Sequence, residues 1–209
     1  TTDIDSQTDS QTALATFLDN IRASANTKRC YKNTLTLFAR EYGHLPESSG
    51  EAQEFIYARE NAGLKPATVG LDVAAFQRYF KYNGIPTNRL EKYAVVLGTP
   101  RYLSEAEVSR LLGAARYPVL KCLVALLYDT GARISEILNT TMDDIDWNGG
   151  LKVTRKGGRQ EVANISEWGL EYLAKWLDIR RGDDPKIFGN RRYHDLYMML
   201  KTTAKTADI

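Results

Sequence analysis

The 209 residues suffice for one large domain or two small ones, domains running to ~100–200 residues each. With 43% apolar and 26% charged residues they exclude disorder, collagen and a disulfide scaffold. The net charge of +2 is too small to cover nucleic acid by bulk charge, so any such role rests on local patches.

Cys30 and Cys122 stand far apart, and with His44 and His194 they offer no paired ligand spacing. A reducing compartment and no structural metal are expected. The longest apolar run, Leu123 to Leu127, is too short to span a bilayer, and the acidic, polar N-terminus does not read as a signal peptide. The expectation is a soluble cytoplasmic protein with no membrane partner.

Residues 1–10 carry three aspartates and one apolar side chain and read as a disordered tail. From Gln11 the apolar positions take a helical period through Leu14, Phe17, Leu18 and Ile21. A second stripe, Tyr31, Leu35, Phe38 and Tyr42, opens at Asn26 or Thr27 and stops at Gly43. A third runs from Ala52 through Phe55 and Ile56 to Gly63, and a fourth from Pro66 through Val69, Val73, Phe76 and Phe80 to Asn83-Gly84. Four short helices with short loops predict a compact all-α domain over 11–84. Residues 85–101, rich in turn formers and without a periodic face, read as the domain linker.

The second domain, 102–209, opens on the capping-box pattern of Ser104 and Glu107. A mostly apolar helix follows from Pro118 to Tyr128, breaks at Gly131 and resumes through Ile134, Ile137 and Leu138. The period then shortens: Ile145 to Trp147, a turn at 148–150, Leu151 and Val153, a second turn at 156–159, then Val162 and Ile165. This predicts two hairpins sharing a strand. Two further helices are expected, one after Ser166 and one over 191–205.

Two clusters could carry chemistry. Lys152, Arg155, Lys156 and Arg159 lie within eight residues, with Gly157 and Gly158 at the tip. Such a turn suits phosphates, or is simply a solvated hairpin end. Arg133, just past the helix-breaking Gly131, has Glu136 one turn on. The two form either a helix-surface ion pair worth about 0.3–0.5 kcal/mol or an arginine fork oriented to grip an anion.

The run Thr130-Gly131-Ala132-Arg133-Ile134-Ser135-Glu136, with Asp144 to Trp147 after it, resembles the first arginine box of tyrosine recombinases and phage-type integrases. Val153 to Val162, with its Lys156-Gly157 turn, is similar to that family's β-hairpin. Asn26-Thr27 with Tyr31, and Pro66 to Val69, resemble helix starts of its core-binding domain. The resemblance implies a mainly α fold with a small antiparallel sheet, a helical core-binding domain and an α+β catalytic domain, the two clamping double-stranded DNA. It implies that Arg133 binds the scissile phosphate, Glu136 supports it and Lys156 protonates the leaving 5′ oxygen. Thr27, Lys28, Arg29, Lys65, Thr68, Arg155 and Arg159 become DNA contacts, some of which ordinary helix caps and solvated turns would also explain. No metal or cofactor is needed, because preorganised cations stabilise the charge on the phosphate. The partners implied are DNA and further recombinase subunits, a tetramer in the complete parent.

The family also needs a His-x-x-Arg box and a tyrosine nucleophile downstream. The sequence reaches Ile209 without that box, none of its twelve tyrosines fits the nucleophile motif, and His194 to Tyr197 matches the box only superficially. The expectation is a C-terminally incomplete catalytic domain, inactive alone, from a parent that cuts and rejoins DNA through a 3′-phosphotyrosine. The alternatives are a non-catalytic DNA-binding regulator competing for recombination sites and a helical protein-interaction module.

Overall fold

The computed structural model describes residues 2–91, 93, 99 and 101–209, and for residues 2–8 the backbone alone. The chain divides into two compact units, Thr1–Thr99 and Pro100–Ile209.

The first unit holds four helices: α1 (Thr2–Asn20), α2 (Ala25–Tyr42), α3 (Ser49–Asn61) and α4 (Pro66–Asn83). Helix α1 corrects the expected loose tail, because its backbone is helical from Thr2 onward. The stripe from Leu14 to Leu18 continues the same helix, and Ile21, just past its end, joins the same core. Helix α2 is capped by Ser24 rather than Asn26 or Thr27, the Ser24 hydroxyl accepting the Thr27 N–H at 3.1 Å. All three residue types cap well, so local sequence could not choose among them.

Phe38, Phe55 and Phe76 meet at the centre of this unit, their ring centroids 5.4–5.7 Å apart, and Phe17 packs edge-on against Tyr79. Phe38 faces Phe76, and Thr34 bonds Asp72 at 2.6 Å. The chain spacing is the same at both levels, so α2 and α4 run parallel and their N-terminal turns lie at one end of the bundle. Asp72, almost fully buried, also accepts the Arg59 Nε–H at 2.7 Å, which ties α2, α3 and α4 through one carboxylate.

The expected linker begins too early. Leu90 is buried in the first core and Ile85 packs against it. Ser49 Oγ accepts the Arg89 N–H at 3.4 Å, Gln53 Oε1 accepts the Glu91 N–H at 2.8 Å, and Tyr57 donates to Glu91 at 2.7 Å. Ser49, Gln53 and Tyr57 recur every fourth residue and form a polar stripe, which a search for apolar periodicity passes over. Residues 94–98, also assigned to the linker, lie outside the described residues.

The second unit packs α5 (Glu105–Ala114), α6 (Pro118–Thr130), the single turn α7 (Ile134–Ile137), α8 (Glu167–Ile179) and α9 (Tyr193–Thr206) with three strands, β1 (Ile145–Asp146), β2 (Gly150–Thr154) and β3 (Gln160–Asn164). The sheet is antiparallel in the order β1-β2-β3. Ser104 and Glu107 close the predicted capping box on α5. Leu120, Leu123 and Leu126 of α6 are fully buried, with Leu151 and Val153 of β2 and Leu173 of α8 in the same core.

Val162, counted with the apolar set, instead points to solvent and is 66% exposed. It pairs with Lys152, and alternation along β2 puts Leu151 and Val153 inside and Lys152 outside. Asp129 at the end of α6 accepts the Ser166 N–H at 2.9 Å and its hydroxyl at 2.7 Å, fixing the start of α8. Gly169 allows that approach, since a Cβ there would collide with Asp129.

Candidate active site

The arginine box owes its shape to four short-range bonds. The Thr130 hydroxyl donates back to the Leu126 carbonyl at 2.5 Å and accepts the Ala132 N–H at 3.2 Å. Gly131 ends α6 in the left-handed region at φ 58°, where side chains with a Cβ are strained. The backbone then extends through Arg133 and winds the one turn of α7. Glu136 closes that turn, its Oε2 accepting the Arg133 N–H at 3.0 Å and its Oε1 the guanidinium Nη1–H at 2.7 Å.

Arg133 and Glu136 differ sharply in environment. The Glu136 side chain is 7% exposed and that of Arg133 is 68% exposed. The arginine is therefore gripped from below, while most of its donors face outward. A second guanidinium, from Arg155 on the hairpin, reaches Glu136 Oε2 at 3.1 Å. The Arg133 backbone N–H chiefly, and the two guanidiniums with it, outweigh burial and hold the Glu136 carboxyl at about 2.

A carboxyl depressed in the folded state stabilises the fold above its unfolded value of 4.5, and that contribution is lost as pH falls toward about 2. Denaturant unfolding of the wild type is therefore expected to weaken between pH 4.5 and 2. In Glu136→Gln this component of the pH dependence is expected to be absent. An identical pH profile for the two proteins would remove Glu136 from this role.

The hairpin does not present its four cations alike. Lys152 pairs with Asp144 at 3.4 Å, and Arg159 with Glu161 at 2.6 Å while remaining 77% exposed. Arg155, expected to contact DNA, is instead turned inward. Its Nε donates to Glu161 at 2.6 Å and its Nη2 to the Thr130 carbonyl at 3.0 Å, besides the bond to Glu136. It directly follows Thr154, the last residue of β2, and the bond to Glu136 ties it to α7. Lys156 is exposed and, among the described residues, makes no hydrogen bond or ion pair. Gly157 and Gly158 carry the turn at φ 88° and 83°.

Sequence reasoning passed over Glu161, the carboxylate that gathers Arg155 and Arg159. The signal was present, an acid two residues past the basic turn and opposite Val153 in register. It lay just outside the run of cations.

In the first unit, Thr27 and Lys28 sit in the first turn of α2 with Arg29 just after them, and Lys65 and Thr68 at the start of α4. The parallel course of α2 and α4 gathers both turns at one end. Thr27 is engaged in the cap with Ser24 at 2.8 Å, and Arg29 donates to Asn26 at 2.7 Å. Lys65 and Thr68 are exposed, and Lys65 precedes a helix that no side chain caps. Pro66 has no N–H and the Thr68 N–H is taken by the Lys65 carbonyl at 2.8 Å, so it is the cations at the positive ends of the helix dipoles that favour phosphate here.

His194 and Tyr197 are exposed on α9, where Tyr197 stacks on Tyr193 at 5.8 Å. Tyr128 packs on Trp168, their centroids 5.9 Å apart. Among the described residues, no cluster of His, Cys, Asp or Glu could hold a metal ion, and no helix is long and apolar enough to cross a membrane.

Residues 101–209 match the phage integrase family. Tyrosine recombinase XerA of Pyrococcus horikoshii is 29% identical over 182 residues, which cover 85% of this chain and 63% of that protein. XerA of Pyrococcus furiosus is 30% identical over 184 residues, covering 85% and 64%. The chain thus spans less than two thirds of the length of these relatives. Among solved structures, a lambda integrase tetramer bound to a Holliday junction is similar with a TM-score of 0.76 at 17% identity, over 95% of this chain and 64% of that one. A lambda integrase dimer bound to a COC' core site gives 0.75 at 17% identity, over 95% and 81%. These likenesses establish the fold, mainly helical with one small antiparallel sheet. Since the family match takes in more than half of the residues, including both the arginine turn and the glycine hairpin, the chain belongs to the phage integrase family of tyrosine recombinases.

Proposed function

We propose that this chain is the DNA-binding and partial catalytic portion of a site-specific recombinase that cuts and rejoins DNA through a phosphotyrosine. A tyrosine hydroxyl gives up its proton to solvent as its oxygen bonds phosphorus, the bond to the 5′ oxygen breaks, and that oxygen takes a proton from Lys156. Arg133 holds the nonbridging oxygens, where negative charge grows in the transition state. Glu136 orients Arg133. DNA is the substrate, and further recombinase subunits are the partners.

One observation carries this reading: of the hairpin's four cations, three are partnered by carboxylates, and Lys156, beside the inward Arg155, has no partner among the described residues. Arg133 is likewise anchored by one nitrogen and open at the rest. Solvated charge alone would not sort the hairpin in this way. The relatives named as tyrosine recombinases support the same reading.

The first test is the salt dependence of binding to duplex DNA. If Lys28, Arg29, Lys65, Arg133, Lys156 and Arg159 each neutralise one phosphate, log affinity falls against log salt with a slope of roughly −5. Removing Lys65 alone reduces the slope by about one. A protein that binds no duplex at low salt would defeat the proposal.

A further inference from the structure

Arg155 occupies a basic hairpin, yet its guanidinium bonds to three separate elements. Nε reaches Glu161 on β3, Nη1 reaches Glu136 on α7, and Nη2 reaches the carbonyl of Thr130 at the end of α6. The planar fork permits this, whereas one ammonium would not reproduce its fixed directions. On Glu136, Oε1 takes the Arg133 guanidinium, while Oε2 takes Arg155 together with the Arg133 backbone N–H.

Past Arg155 the hairpin loses support. The side of the backbone where a Cβ would stand at Gly157 or Gly158 meets no atom within 4 Å, and Lys156 has no partner among the described residues. The last firm attachment before the tip is therefore the residue preceding Lys156, reinforced by its N–H bond to the Arg159 carbonyl at 2.7 Å.

We propose that Arg155 is a positioning residue that clamps the root of the Lys156 turn to the Glu136–Arg133 pair, so that the phosphate-gripping guanidinium and the proton-donating ammonium are held as one unit. This rests on the roles given to Arg133 and Lys156 above. The clamp itself is a physical coupling that can be measured without them.

The test compares wild type, Arg155→Gln and Arg155→Lys in the 209-residue chain. Hydrogen exchange is followed by NMR at the bonded hairpin amides of residues 155 and 158 and at the Arg133 backbone amide, which Glu136 holds at 3.0 Å. In Arg155→Gln both sites are expected to exchange at least about tenfold faster, while the core amides of α6 hold their rates. Arg155→Lys keeps the charge without the fork and is not expected to restore slow exchange. A change confined to the hairpin, with Arg133 unaltered, overturns the coupling, as does uniform acceleration through the unit.

Strand cleavage by a form carrying the tyrosine nucleophile separates the two layers. If Arg133→Ala and Lys156→Ala still cleave, the reading of the site is wrong, and the functional part of the clamp falls with it. If they fail to cleave while Arg155→Gln exchanges and cleaves like wild type, only the clamp is wrong.

Discussion

Replacing Lys156 by alanine, in a form of the protein that carries the tyrosine nucleophile, is expected to slow strand cleavage by ~10²–10⁴-fold, the usual loss on removing a general acid. The defect is expected to vanish largely when the leaving 5′ oxygen is replaced by sulfur. A thiolate leaves without protonation, so the substrate no longer needs what the lysine supplied. Arg133→Ala in the same assay should lose ~10²–10³-fold and should not be rescued by sulfur, because its proposed task is to stabilise the nonbridging oxygens. Its affinity for duplex is expected to stay close to wild type, one phosphate contact among several having been removed. Equal slowing of Lys156→Ala on the oxygen and sulfur substrates would deny it the acid role. A collapse of affinity in Arg133→Ala, with the fold intact, would make that residue an anchor rather than a participant. The geometry motivates the distinction, since Arg133 is fixed on Glu136 at 2.7 Å and Lys156 is free of partners among the described residues.

The largest expected effect on stability lies in the first unit. Arg59→Met keeps most of the side chain's bulk over Phe55, whose ring centre lies 5.4 Å from the guanidinium carbon, but deprives Asp72 of its cation. Asp72 is 3% exposed and keeps only the Thr34 hydroxyl among the described groups. An uncompensated buried carboxylate costs about 3–5 kcal/mol, and the lower end applies because a fifth of the Arg59 side chain reaches water. Asp72→Asn added to Arg59→Met should recover much of the loss, since the buried charge is then gone. Trp147, Trp168 and Trp176 all lie in the second unit. The signature in urea is therefore an early loss of helical circular dichroism, with tryptophan fluorescence holding to higher denaturant. A shift under about 0.5 kcal/mol, typical of a solvated surface pair, would show that the Asp72 network contributes little.

Much of this organisation is written in local patterns. The stripe of Tyr31, Leu35 and Phe38, the capping box of Ser104 and Glu107, and the glycine turns flanking β2 each depend on residues within a few positions of one another. Period and turn chemistry suffice to find such features. The arginine turn is legible for the same reason: Thr130, Gly131, Arg133 and Glu136 are bonded within one stretch of seven residues.

Other features escaped because their partners are distant or polar. The segment 85–91 is held by Ser49, Gln53 and Tyr57, 34 to 40 residues before their partners, on a stripe with no apolar signature. Arg155 looked like its three basic neighbours, and its inward course follows from Thr130, Glu136 and Glu161 closing around it.

By itself the sequence determined the helices, the shared-strand hairpins, the two-part division and the residue types of the site, because each is encoded in spacing along the chain. Tertiary structure decided which cation is buried and which is free. A guanidinium's role depends on whether a carboxylate reaches it through space, and Glu136, which accepts from the guanidiniums of two arginines, is fixed only once α7 and the hairpin have packed together.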